Sequence, residues 1–443
     1  MKKISKLARG VLEVLPDEGR IIKTSVRKVL VGKELALSKL THHFGGMTLP
    51  DPRVVHWLPP EQIEFATCLK NESSDWEDWV FRQTGRLKRV HDGEWDLLKY
   101  PVASMRICTA IEGRMKQGES WETSEYYQVA VRQIEGGRKV WGCTNRADFN
   151  KHCNKIDRLI DSIVKHGYRE SKEFDNRSRA DTSLGQSEVL INISRDGFPL
   201  FQDGRHRLAI ARVLGVKEIP VQIMIRHVEW QVFREFMHRM ARGSGGACKA
   251  GFLYQMPIHF DLSDIPSEHG CEDRWNAISQ HIPAATETAL DIGCNLGFFC
   301  HKLEALGYRC FGIEYQPDIA YAARKISQAE KRRFKIVAGD VLAAELFRDI
   351  GTFRFGIVNA LNIFHHFIKT ETGYTRLKEF MKRVRADIMF FEPHRLDEPQ
   401  MQGAFFNPSP EEFVGLIKDW GDFRSSTPIY SAGDGRTIYK LVR

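Results

Sequence analysis

The stretch Ala289-Leu-Asp-Ile-Gly-Cys-Asn-Leu-Gly-Phe-Phe299 constrains this chain more than any other. An apolar run of strand character meets Gly293, Asn295 and Gly297, residue types that tolerate left-handed backbone, and a helical pattern follows. A strand, tight turn and helix in this order bring bare backbone and the positive end of a helix to one place. Short apolar runs then alternate with helical intervals, at 288–292, 309–314, 334–337, 355–359 and 387–392. The series predicts a largely parallel sheet with helices on both faces. Two last β-like runs, 427–430 and 437–442, flank Asp434 and Gly435 and predict a closing antiparallel hairpin.

Acidic residues sit at informative places in this series. Glu314 ends the second run, 21 residues beyond Gly293, where a carboxylate can accept hydrogen bonds from two ribose hydroxyls. Asp340 ends the third. The carboxyl ends of strands are where open α/β sheets bind ligands. A dinucleotide fingerprint would need glycine where Asn295 and Phe298 stand, which disfavours NAD.

The run Asp291-x-Gly293-x-Asn295-x-Gly297, with Glu314 and Asp340, resembles the class I S-adenosylmethionine-dependent methyltransferases over roughly residues 250–443. The resemblance implies a Rossmann-like, seven-stranded α/β domain with S-adenosyl-L-methionine as cofactor. It implies that Asp291, Gly293 and Gly297 surround the methionine part, and Asn295 preserves the turn where many members have glycine. Glu314 would then hold the ribose, Asp340 the adenine amino group, and Asn359 would face the methyl group. His365 and His366, just past the fourth run, are catalytic candidates, as are Glu392 and His394 past the fifth; a histidine at a buried helix start explains them equally well. The segment 359–366 lacks the Pro-Pro-aromatic loop of DNA amino-methyltransferases, and no Pro-Cys occurs, so DNA bases are disfavoured as acceptors. A small molecule, a sugar or other glycan-type acceptor, or a carrier-linked intermediate stays open.

At 443 residues the chain should form two or three domains. The glycine-rich stretch 242–251 reads as a hinge between an N-terminal part and a methyltransferase domain at 252–443. Before it, a helix at 156–167, a hairpin of 189–193 with 199–201 about Asp196-Gly197, a helix at 205–214, a strand at 219–225 and a helix at 228–240 make an α+β unit, bounded here as 96–241. Gly204 turns strand into helix and puts Arg205, His206 and Arg207 at the helix N-terminus, where backbone N–H groups and guanidinium groups can converge on phosphate. The segment resembles the Gly-x-His-Arg box of the ParB/sulfiredoxin-like fold over about 155–226. That likeness implies nucleotide phosphates, from ATP or CTP, against Gly204, His206 and Arg207 with Arg205 beside them. Arg205 replaces the cysteine of sulfiredoxins, and no DNA-reading helix-turn-helix follows, so neither sulfinic-acid reduction nor partitioning is expected. Asp203 reads either as a base, as in kinase-like members, or as the cap of its turn.

The formal charge of +8 is uneven: residues 1–250 carry 42 Lys and Arg against 32 Asp and Glu, and residues 251–443 carry 23 against 25. Residues 1–40 alone hold 10 basic and 4 acidic groups. Within the mostly helical region expected over 1–95, this patch suits peripheral membrane contact, nucleic acid, or a solvated basic helix. A nucleic-acid-associated module and a nucleotide-dependent kinase are therefore alternatives to the methyltransferase reading. The nine cysteines include no Cys-x-x-Cys pair and fit a reducing cytoplasm, and Cys143, His152 and Cys153 lack a fourth ligand, so no metal is expected. Neither a membrane-spanning run nor a leader-like N-terminus is read.

Overall fold

Strand β10 (Thr288–Ile292) reads Thr-Ala-Leu-Asp-Ile with four of its five residues buried, and a strand covered on both faces needs helices above and below. The computed structural model of the chain supplies them. It describes Pro50 and residues 54–67, 90–97, 99–169, 188–243, 251–283 and 287–443. The basic residues 1–40, two of the nine cysteines (Cys68 and Cys248) and most of the expected hinge lie outside the described residues.

In the C-terminal half β10 pairs in parallel with β11 (Arg309–Glu314) on one side and β13 (Arg354–Leu361) on the other. β12 (Lys335–Ala338) extends one edge and β14 (Arg385–Glu392) the other, followed by the hairpin of β15 (Ser425–Ser431) and β16 (Thr437–Val442). The spatial order is β12-β11-β10-β13-β14-β16-β15, so a parallel sheet ends in the antiparallel hairpin that Asp434 and Gly435 predict. Reversal of strand order beside β10 opens a crevice at the carboxyl ends of β10, β11 and β13. One apolar face centres on Phe311, Phe355 and Phe391, the other on Phe298, Cys300 and Phe390.

The helices on these faces carry their start and stop signals in the sequence. α7 (Phe298–Ala305) begins after Gly297, α8 (Pro317–Ala329) opens with proline at its first position, and Thr370 caps α10 (Glu371–Arg383) by accepting the Gly373 N–H. α11 (Pro410–Gly421) has a capping box in which Ser409 and Glu412 satisfy each other's backbone N–H groups.

The N-terminal half is a second, mixed sheet in the order β1-β7-β5-β6-β2-β4, with β3 on β7. Its strands are β1 (Val55–Leu58), β2 (Phe65–Thr67), β3 (Val90–His91), β4 (Lys99–Pro101), β5 (Val189–Ile193), β6 (Pro199–Asp203) and β7 (Ile219–His227). Three of them come from within 1–95. The expected mostly helical character is therefore corrected for the described part of that region: short β-branched and aromatic runs pair onto the sheet instead. Against it pack α1 (Arg106–Glu112), α2 (Glu125–Glu135), α3 (Arg146–His166), α4 (Arg205–Val213) and α5 (Val228–Gly243). α3 starts ten residues before its apolar stripe predicts, because Asn145 caps a polar first turn by accepting the Asp148 N–H.

The two halves share apolar contacts. Ala322, Ile326 and Ala329 of α8 belong to the N-terminal core, and Asp196 in the β5–β6 turn meets Lys325 and Gln328 on the same helix. Between them β8 (Leu253–Gln255), β9 (Ser267–His269) and α6 (Glu272–Ser279) form a small bridging element. Asp261 in this connection is fully enclosed by Arg226, Arg234 and the Trp230 indole N–H, and those donors drive its carboxyl far below the ordinary value despite burial. Among the described residues no helix is long and apolar enough to cross a membrane.

Candidate functional site

A cavity of about 490 Å³ opens at the carboxyl ends of β10, β11 and β12. Gly293, Glu314, Asp340 and His366 line it, so four residues from four separate stretches of sequence meet on one wall system.

Each is held by local geometry. Gly293 has φ 71°, and a Cβ there would come within 2.9 Å of the Ile363 side chain on the facing wall, so the turn needs glycine both for conformation and for room. Glu314 is buried, and its two oxygens accept the Asn295 and Gln316 N–H groups at 3.0 and 2.9 Å. Burial raises its pKa, and those backbone donors oppose the shift. The carboxylate thus ties the glycine turn to the start of α8 while keeping lone pairs for a further donor. Asp340 accepts the Leu342 N–H at 2.9 Å on Oδ1 and the Arg376 guanidinium at 2.7 Å on Oδ2.

The rest of the turn lies behind the wall. Asn295 has φ 50° and accepts the Leu296 N–H on its side chain, and Gly297 has φ 84° where α7 begins. The first N–H of α7, from Phe298, donates to Gln255 Oε1 at 3.1 Å, so β8 satisfies one of the free donors at the positive end of this helix. Asp291 faces Cys300 beneath the turn, and its burial pushes its pKa up to about 7.

The catalytic candidates separate. His366 opens on the cavity, and its enclosing walls followed by Lys369 lower its pKa to about 4. His365 is buried against it, with ring centroids 4.0 Å apart, and does not line the cavity. Asn359 stands in register with Asp291 inside the sheet, fully buried, and neither amide atom has a hydrogen-bond partner among the described residues. Glu392 accepts from Arg274 at 2.9 Å within a buried ion network, and His394 pairs with Asn407. Arg376, Gln316 and Ile363 share the cavity wall with no motif to announce them.

The Gly204 box has the expected backbone and a different environment. Gly204 is left-handed at φ 91° and leads into α4 as its N-cap, with no side-chain cap on the helix, and Asp203 accepts the adjacent Gly204 N–H at 2.7 Å. Arg205, His206 and Arg207 are all buried. The Arg205 guanidinium lies 4.7 Å from the Trp141 ring centroid, His206 meets the Tyr126 hydroxyl at 3.3 Å, and Arg207 faces the buried Glu188 at 3.7 Å. Burial, with His152 and Arg205 nearby, holds His206 well below the ordinary histidine value. The four residues from which phosphate contact is expected thus lie in an enclosed polar cluster, with α2, α3 and the Trp141 turn packed over the helix end. Among the described residues no group of three or more histidine, cysteine or acidic side chains is arranged to hold a metal ion.

Residues 290–386 match a family model described as a methyltransferase domain, so the C-terminal half carries a methyltransferase domain. No curated protein matches the chain. Among solved structures, WbdD in complex with the kinase inhibitor LY294002 is 19% identical with a TM-score of 0.37, covering 44% of this chain and 46% of that one. This chain therefore spans less than half the length of that protein. The PH0226 protein of Pyrococcus horikoshii is 14% identical (TM-score 0.32; 43% of this chain, 94% of that one). An S-adenosylmethionine-dependent methyltransferase of Aquifex aeolicus is 16% identical (TM-score 0.29; 39% and 90%).

Proposed function

We propose that the C-terminal half binds S-adenosylmethionine in this cavity and methylates a small-molecule, glycan-type or carrier-linked acceptor, and that the N-terminal half helps present that acceptor. The observation that carries the reading is the meeting of Gly293, Glu314 and Asp340 on one cavity of about 490 Å³, a size suited to a small ligand. The residues fit such a cofactor: a glycine whose missing Cβ leaves room, and two carboxylates with acceptor capacity at successive strand ends.

When bound, the sulfonium supplies an electrophilic methyl group. The chain's own contribution is positioning. Glu314 accepts from ribose hydroxyls, Asp340 accepts from the adenine amino group, and Gly293 lets the methionine part approach the backbone. His366 is a neutral imidazole at pH 7 on the cavity wall, so a ring nitrogen can accept a hydrogen bond from a hydroxyl acceptor and orient it, while the walls that lower its pKa also weaken it as a base.

The proposal does not extend to ATP or CTP at the Gly204 box. A phosphate entering there would have to separate Arg207 from a buried carboxylate and displace Trp141 and Tyr126.

Isothermal titration of the full chain with S-adenosylmethionine tests the reading. Binding that Glu314→Ala weakens by more than about tenfold, or about 1.4 kcal/mol, supports it, and unaltered affinity overturns it. Labelled S-adenosylmethionine incubated with fractionated cell extract then identifies the acceptor.

A further inference from the structure

We propose that Arg376 is a positioning residue that sets base specificity, by holding the Asp340 carboxylate in the plane that meets the 6-amino edge of adenine. The inference rests on the cofactor reading of the cavity and deepens it.

The two side chains reach the same end of the cavity from different elements. Asp340 follows β12, and Arg376 projects from the second turn of α10. Arg376 Nη2 donates to Oδ2 at 2.7 Å while the Leu342 N–H donates to Oδ1 at 2.9 Å. One donor therefore fixes each oxygen, and the carboxylate cannot rotate without breaking one of the two bonds. A carboxylate offers about four lone-pair positions, so roughly two remain for a ligand.

The pair has little to do with fold stability. Its side chains are 44% and 31% exposed, in the range where ion pairs contribute little to folding. It joins a helix to a strand-end loop across a ligand-sized cavity. An orientation held this way matters for what the carboxylate faces. The fixed acceptor matches an amino group, which donates, and repels the 6-oxo group of hypoxanthine, which accepts. Gly373, one turn earlier on the same face of α10, also lines the cavity.

The test is titration of the full chain with S-adenosylhomocysteine and S-inosylhomocysteine, for the natural protein, Arg376→Ala and Arg376→Lys. The natural protein should prefer the adenosyl compound by at least about thirtyfold. Arg376→Ala should cut that ratio to below about fivefold, and Arg376→Lys, which keeps one charged donor, should restore part of it. A merely structural role would weaken both ligands together and leave the ratio where it was, and that result overturns the proposal. If the natural protein binds neither compound, the cofactor reading itself fails and takes this proposal with it. If it binds both equally, the cofactor reading survives and the role of Arg376 does not.

Discussion

The molecule contains two turns of one design in two different surroundings. Each runs from a strand through a left-handed glycine into a helix: β6 through Gly204 into α4, and β10 through Gly293 and Gly297 into α7. At the second, a carboxylate from the next strand accepts the turn's N–H, matching the positive end of a helix with negative charge, and space remains beside it. At the first, Arg205 and Arg207 stand at the helix's positive end, where their own charge is disfavoured, so Glu188 and the rings of Trp141 and Tyr168 close over them. A glycine turn makes a binding site only where the surrounding elements leave it uncovered. Neighbours remote in sequence decide that.

The largest contrast should appear with pH. Asp291 keeps its proton up to about pH 7 in the folded chain, against an ordinary value near 3.8. Between those limits the unfolded chain binds fewer protons than the folded one, so this group makes stability fall as pH rises. Asp291→Asn should remove that loss, raising stability at pH 7 relative to pH 4 by on the order of 4 kcal/mol. His206 works in the opposite direction, since burial keeps it neutral and the unfolded chain gains a proton below its ordinary value of 6.5. Urea unfolding across pH 4–8 measures both slopes. Equal slopes in the natural protein and Asp291→Asn would show that the carboxyl under the second turn is not buried in this way.

Removal of Glu188 probes the first turn. Glu188→Ala takes away the carboxylate facing a buried guanidinium and should cost about 3 kcal/mol of stability. Affinity for S-adenosylhomocysteine should not change. A parallel gain of ATP or CTP binding in this variant would reveal a phosphate site that Glu188 fills, and would bring the two turns closer in kind.

What the sequence makes legible follows from the same contrast. The second turn, Glu314, Asp340 and the closing hairpin can be read from it because left-handed backbone admits few residue types and strand ends recur at regular spacing. Arg376 cannot, since it lies on a helix 36 residues past Asp340 and nothing local marks which turn of that helix meets the loop. The enclosure of Arg205, His206 and Arg207 is equally hidden. Tyr126, Trp141 and His152, which cover them, come from elements more than 50 residues upstream. β1, β2 and β3 escape notice because strands of two to four residues carry too little periodicity.

The finest test exchanges one methyl group at each turn. In Gly293→Ala the new Cβ falls 2.9 Å from the Ile363 side chain, so Ile363 must move and narrow the cavity. Affinity for S-adenosylhomocysteine should drop about tenfold, or about 1.4 kcal/mol. In Gly204→Ala the new Cβ falls 3.1 Å from the Val189 Cα, where no side-chain rotation relieves the contact. Strain at positive φ together with that contact should cost stability of about 1–2 kcal/mol and leave affinity unchanged. Titration and urea unfolding on both variants separate the outcomes, and an equal loss of affinity in Gly204→Ala would mean that the enclosed turn acts on the cavity through α8, the helix that both halves grip.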